Sequence, residues 1–279
     1  MPFHRFEDLE AVALTPHLSS AVAPVIEGNY LYYCLNQKKA GTGSELHYHP
    51  NELLIFTLEG TVNAVIGKDR QIVKPGTFIL IPSNVRHSLK ATEDGPCAYL
   101  YIKDQTWSVV GIAADEALPD KPMTLEEVNR KFSDGEISDR KGAASTASGE
   151  PPSEIIIEGV PNCYYPILTS LDEPLRAGKR VDWIEGELCA FGFFELPAGY
   201  EYAQDMSAHE RFIYVLQGKV DADVAGERKS ASKGDIIQVP LNASFSLNIP
   251  ADEPTRLVEI RSTAFLQDTM EERRREFVA

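Results

Sequence analysis

Hydrophobic positions along the chain fall in short runs rather than in a helical rhythm. The stretches NYLYYCLN, LLIFTLEGTVNAVI, GTFILIP and CAYLYIK are rich in β-branched and aromatic residues, and Gly, Pro, Asn and Asp punctuate them. This pattern predicts short β-strands of a sandwich or barrel. A second set in the same style follows: LCAFGFFELP, RFIYVLQGKVDADVA, GDIIQVP and TRLVEIR. Between the two sets, from Ala113 to about Val160, the pattern breaks. TLEEVNRKF predicts a short helix there, with Thr124 as N-cap and Glu127 at the capping-box spacing. SDGEISDRKGAASTASGEPPSE is polar, small and Pro/Gly-rich and reads as a flexible linker. The terminal DTMEERRREFVA predicts a short helix whose charge run is a solvated face.

The two sets are copies. Adding 158 to a residue number aligns them without a gap. Ile26-Glu27-Gly28 falls on Ile184-Glu185-Gly186, Gly41 on Gly199, Glu52 on Glu210 and Ile55 on Ile213. Leu58 falls on Leu216, Gly60 on Gly218, Gly76 on Gly234 and Pro82 on Pro240. Phase kept over that length points to a duplicated β-domain. The expected division is 1–112 for the first barrel, 113–160 for the linker with its helix, and 161–279 for the second barrel with its terminal helix.

Composition narrows the partners. The chain has 279 residues, a formal net charge of −15 and a sequence pI near 4.9. Such a balance argues against nucleic acid or an anionic membrane, both of which repel it. It leaves a small-molecule substrate as the expected partner. MPFHRFEDLE has no apolar core of a signal peptide. No apolar run approaches the roughly 20 residues that span a bilayer. Cys34, Cys97, Cys163 and Cys189 are scattered, without a CxxC pair, and are expected to be reduced thiols of a cytoplasmic protein.

The candidate chemistry sits in GTGSELHYHPNELLIFTLEG, Gly41 to Gly60. On a strand, His47 and His49 point to the same face. His87, after the turn at Pro82, can bring a third imidazole from a neighbouring strand. Neutral imidazole is the commonest metal ligand, and three of them leave coordination positions open. The competing reading, histidines in a polar pocket or on the surface, is the weaker one once His87 joins the pair.

These residues resemble those of a known family. Gly41, His47-x-His49 and the closing Gly60 resemble the first cupin motif. KPGTFILIPSNVRHSL resembles the second, with Gly76 opening a strand and Pro82 five positions before His87. Since both halves take part, the chain is similar to a bicupin. The resemblance implies an all-β protein of two tandem antiparallel jelly-roll barrels, with short helices in the linker and at the C-terminus. In the family pattern the carboxylate ligand lies seven positions before the closing glycine, which here is Leu53. Glu52 is one residue out of register and should face away, unless a bulge after Pro50-Asn51 turns it back as a fourth ligand. Glu210 keeps the same register in the second half, where Asp205, Ser207 and Phe245 replace the three histidines and Arg211 stands opposite Leu53. His209 aligns with Asn51 and is expected to be a surface or packing residue.

Three neutral histidines leave a bound divalent ion its full charge, which favours anionic, chelating oxygen ligands. The resemblance implies one divalent metal, Fe(II) by preference, with Mn, Ni or Zn as alternatives. The implied activity is a mononuclear dioxygenase that cleaves a C–C bond of a small aromatic hydroxy acid or β-dicarbonyl. A non-redox isomerase, cyclase or lyase on a small carbonyl or sugar acid is the second reading. A non-catalytic small-molecule-binding bicupin is the third. Leu53 would form an apolar wall beside the metal. Tyr30, Tyr32, Phe56, Tyr99 and Tyr101 are candidate pocket residues, although aromatics in strands are usually core. Arg86 could meet a substrate carboxylate, but its alternation with His87 turns it outward. Pairing through sheet edges makes a homodimer an expectation.

Overall fold

A computed structural model describes residues 1–142, 163–176 and 178–263. Among them the protein is built almost entirely from antiparallel strands, with one α-helix, Leu125–Ser133. Thr124 caps that helix, its hydroxyl accepting the Glu127 N–H at 3.1 Å. The expected C-terminal helix and residues 143–160 of the expected linker lie outside the described residues. No described helix is long and apolar enough to cross a membrane. The four cysteines are free and buried.

The first barrel packs a seven-stranded sheet on a five-stranded one. The larger sheet runs in the order Tyr164–Pro166, Thr77–Ile81, Leu53–Glu59, Cys97–Asp104, Leu31–Lys38, Val22–Glu27, Ala11–Ala13. The smaller runs Ile112–Ala113, His47–Tyr48, His87–Ala91, Val62–Ile66, Asp69–Val73. The second barrel packs a six-stranded sheet on a four-stranded one. The six are Phe3–Arg5, Asp235–Val239, Arg211–Gln217, Thr255–Ser262, Cys189–Leu196 and Arg180–Glu185. The four are Glu201–Gln204, Phe245–Asn248, Lys219–Val224 and Glu227–Ser232.

The division at 1–112 and 161–279 needs correction at both ends. Phe3–Arg5 pairs with Asp235–Val239 in the second barrel, and Tyr164–Pro166 pairs with Thr77–Ile81 in the first. Each half thus covers an edge strand of the other, which removes two sites for edge-to-edge association. The start of the expected linker is likewise part of the first barrel. Ile112–Ala113 forms its edge and pairs with His47–Tyr48.

Alternation along the strands sorts side chains between two cores. Leu53, Ile55, Tyr99 and Tyr101 point into the first barrel. Leu54, Phe56, Leu100 and Ile102 point the other way, into a core shared with Phe191, Phe193, Phe212, Val258 and Ile260 of the second half. Phe78 stacks on Phe191 at 4.6 Å across that seam.

Two buried carboxylates clasp the halves together. Glu52 accepts the backbone N–H groups of Glu187, Leu188 and Cys189 at 2.7, 2.6 and 2.6 Å. Glu210, its image in the repeat, accepts those of Asn29, Tyr30 and Leu31 at 2.7, 2.7 and 3.1 Å. The donors themselves are images, since 29–31 plus 158 is 187–189. Gly28 and Gly186 explain the kept Ile-Glu-Gly triplets. A Cβ at Gly28 would sit 2.4 Å from the Glu210 carboxylate, and one at Gly186 2.3 Å from that of Glu52. Only glycine lets each carboxylate reach the turn. Burial pushes the Glu52 carboxyl up to about 7, against the downward pull of its backbone donors.

Candidate metal centre

His47 and His87 are directly opposed across adjacent strands of the five-stranded sheet. His49 follows two residues on. The ring centroids lie 4.3 Å (His47–His87), 4.9 Å (His49–His87) and 6.1 Å (His47–His49) apart. One nitrogen from each ring lies within 4.8 Å of the others, and this is the three-residue ligand cluster found among the described residues.

Each ring is oriented by a backbone carbonyl. Nδ1 of His47 meets Glu45 O at 2.8 Å, that of His49 meets Asn51 O at 2.7 Å and that of His87 meets Val85 O at 2.8 Å. A carbonyl can only accept, so Nδ1 carries the proton and Nε2 presents a lone pair. Nε2 of His49 and of His87 is buried without a protein partner. Burial also keeps the rings neutral. It lowers His47 and His49 well below the ordinary histidine value and His87 to about 3. Three neutral, pre-oriented lone-pair donors, two of them with orphaned buried nitrogens, fit a divalent cation.

The proline turn builds this geometry. Asn84 takes a positive φ of 63°, Val85 N–H returns to Pro82 O at 3.3 Å, and Asn84 N–H donates to His49 O at 2.9 Å. The second motif is thereby tied to the backbone of the first. The copy repeats the turn, with Asn242 at φ 64° donating to Ser207 O at 2.8 Å. The scaffold survives there without its ligands.

The other expected residues divide. Leu53 is fully buried and lines a cavity of about 30 Å³ together with His47, His87, Tyr99 and Tyr101. Glu52 lies outside the cluster, on the clasp described above. No bulge turns it inward. Phe56 is corrected to the shared core between the barrels, and Tyr30 packs against that core. In strand Leu53–Glu59 the inward positions are odd-numbered, and Phe56 falls on the other face. Tyr32 packs from the rim and lines a separate pocket beside Trp107 and Leu125. Arg86 stacks on Tyr48, its guanidinium carbon 3.7 Å from the ring centre, and reaches the carbonyls of Asn84 and Ala114. It does not face the histidines.

Two lysines escaped the sequence reading. Lys38 lines the same small cavity, with Nζ donating to Leu89 O at 2.8 Å, and burial brings it down to about 8. Lys103 is fully buried, donates to Val109 O at 3.2 Å, and is lowered much further by the same cause. The signal for Lys103 was a charged residue inside the apolar run CAYLYIK. Gly111 was also missed. A Cβ there would sit 2.4 Å from the His47 ring, so glycine lets the edge strand close over it.

The cupin-domain family pattern matches residues 36–103 and 192–261, one match in each barrel. The chain is a bicupin of the cupin superfamily. Similar solved structures include an oxalate decarboxylase described for its substrate binding mode and reaction specificity. It shows 17% identity and a TM-score of 0.62, over 94% of this chain and 77% of that one. Another is Bacillus subtilis oxalate decarboxylase described for its Mn(II) centres, with 18% identity, TM-score 0.61 and the same coverage. The Bacillus subtilis enzyme at pH 4.6 matches at 18% identity and TM-score 0.61, over 94% and 76% of the two chains. At such identities the likeness establishes the fold. No curated protein matches the chain in sequence.

Proposed function

We propose that the first barrel is a mononuclear metal enzyme that cleaves a C–C bond of a small, oxygen-chelating anion. One observation carries the reading: three neutral imidazoles converge, and the register of the family's carboxylate ligand is occupied by Leu53. His47, His49 and His87 would hold the ion. A divalent metal so held would keep its full positive charge, polarise a chelated carbonyl or carboxylate and, as Fe(II), bring O2 chemistry.

The chain's own residues set the substrate. Leu14, Leu53, Leu89 and Val109 wall the cavity with apolar surface, which excludes bulk water and strengthens every charge interaction inside. Tyr99 and Tyr101 line it from the neighbouring strand. With its ammonium titrating near 8, Lys38 is mostly protonated at neutral pH and adds a cation for an anionic substrate. Burial disfavours the charged form of Lys103, the direction that lessens its repulsion of a cation held by the histidines. A space of about 30 Å³ admits one or two water-sized groups. That scale is below every expected substrate, so the wall must open to admit one, and a two- to four-carbon acid or short β-dicarbonyl needs less opening than an aromatic hydroxy acid.

Turnover with O2 is the dioxygenase form of this proposal. The second reading, a non-redox lyase, draws on the same small cavity and on the oxalate decarboxylases of like fold. Metal analysis with oxygen-electrode assays tests both, with acetylacetone and oxalate as probes. Substrate-dependent O2 uptake by the Fe(II)-loaded protein supports the first, and anaerobic turnover with Mn(II) the second. A protein that stays folded and takes up no metal from any of Fe(II), Mn(II), Ni(II) or Zn(II) would refute both.

A further inference from the structure

The second barrel encloses about 300 Å³ where the first leaves about 30 Å³. Its wall is the repeat image of the histidine site with the chemistry exchanged. Arg211 stands at the position of Leu53, Glu259 at that of Tyr101, and Arg261 at that of Lys103. Where the metal ligands would converge, this barrel fixes a guanidinium. Arg211 is buried, its Nη1 2.7 Å from the Glu259 carboxylate, with Nε donating to Ser207 Oγ at 3.0 Å and Nη2 to Gln204 Oε1 at 3.1 Å.

Charge and shape agree on the ligand. The wall carries three cations, Lys179, Arg211 and Arg261, against Glu259, with Glu185 pairing Arg261 Nη2 at 3.4 Å from beside it, which leaves an excess of one positive charge. His209 adds no charge at neutral pH, because burial lowers it. The chain as a whole carries −15, so an anion is favoured here by the local charges of this wall and by contact. Arg261 lies flat on Trp183, 3.9 Å from its ring centre, and its Nε is buried without a partner. An unsatisfied buried donor costs stability that an acceptor on a ligand would recover. Trp183 and Tyr202 add broad apolar faces to the same cavity.

We propose that the second barrel is a metal-free binding site for a small organic acid with a flat apolar body. The carboxylate bonds the guanidinium groups of Arg211 and Arg261, Lys179 adds a cation at the wall, and the ring stacks on Trp183 and Tyr202. The volume, at the lower end for small-molecule sites, suits roughly a dozen non-hydrogen atoms, a single-ring acid. The site is independent of the metal reading, since it uses none of the three histidines.

The test uses the full chain with benzoate and its neutral isostere benzamide. The chain has two tryptophans, Trp107 and Trp183. Benzoate is expected to change the emission saturably, and the change should vanish in Trp183→Phe. Calorimetry should show benzoate at least tenfold tighter than benzamide. Arg261→Gln should weaken benzoate at least tenfold. The paired replacement Arg211→Leu with Glu259→Tyr copies the first barrel's own packing and so avoids an orphaned charge; it should abolish binding. His47→Ala should leave benzoate affinity unchanged, which separates this site from the metal centre. Equal affinity for benzamide, no binding at 10 mM benzoate, or full binding by the paired variant would overturn the proposal.

Discussion

The clasp at Glu52 gives the sharpest test, because the same residue could be read as a metal ligand. Glu52→Gln keeps the shape and removes the ionisable oxygen. The wild-type carboxyl titrates near 7 in the folded protein against 4.5 for the ordinary side chain, with burial as the main cause. A raised acid binds its proton more tightly when folded. Its contribution to stability is therefore complete below about pH 4.5 and is lost as pH rises through 7. At about 1.4 kcal/mol per pH unit the whole swing is about 3 kcal/mol. Other groups titrate in the same window, and the difference between wild type and Glu52→Gln isolates this one. Urea denaturation at pH 5 and pH 8, which span most of that swing, should show that difference smaller at pH 8 by about 2.5 kcal/mol. Glu52→Ala leaves three N–H groups without their acceptor, two of them buried, at roughly 1 kcal/mol or more for each buried one, so it should cost about 2 to 3 kcal/mol at neutral pH. Glu210→Ala should behave alike. Metal content should not change in any of these variants. A stability difference that is flat or grows with pH would refute the titration argument. Loss of metal in Glu52→Gln would refute the clasp as the residue's role.

Other outcomes follow from the same geometry. Leu53→Glu should cost the metal-free protein several kcal/mol, about 3 to 5, by burying an uncompensated carboxylate beside the imidazoles. Added Mn(II) should then raise its melting temperature more than it raises that of the wild type; equal shifts would show that the side chain does not reach the centre. For the metal-free protein, the depressed His47, His49 and His87 predict stability that is full above about pH 6.5 and lost as pH falls toward 3. Replacing His87 with Gln should flatten that acid limb in thermal melts, and an unchanged limb would contradict a buried neutral ring. Deleting residues 1–5 removes the strand Phe3–Arg5 and the Arg5–Asp235 pair at 2.9 Å, and bares the edge Asp235–Val239. The loss should be about 2 kcal/mol, with concentration-dependent self-association seen by light scattering.

Much of the centre was readable locally. A period of two placed His47 and His49 on one face and turned Glu52 away from it, and the Pro82 turn marked His87. The same alternation, applied to Phe56, would have moved it out of the pocket, since it shares a face with Leu54 rather than with Leu53. Tyr30 carried no such signal, because it precedes its strand. Lys38 looked like an ordinary polar strand end, and only its burial beside the cavity distinguishes it.

The repeat shows where local and global information part. Its matching residues, the Ile-Glu-Gly triplets with Glu52 and Glu210, proved to be the parts of the clasp and not of the chemistry. The sequence by itself determined the strands, the duplication, the turns that aim His87 and Phe245, and which face each strand residue presents, because all of these follow from backbone geometry within a few residues. Only the tertiary structure decided what those faces meet. The exchange of edge strands, the turn reached by each glutamate, the narrow space beside His87 and the wider one beside Arg211 all depend on contacts between distant segments. No periodicity encodes such contacts; they arise when two packed sheets bring buried charges within reach of the donors that satisfy them.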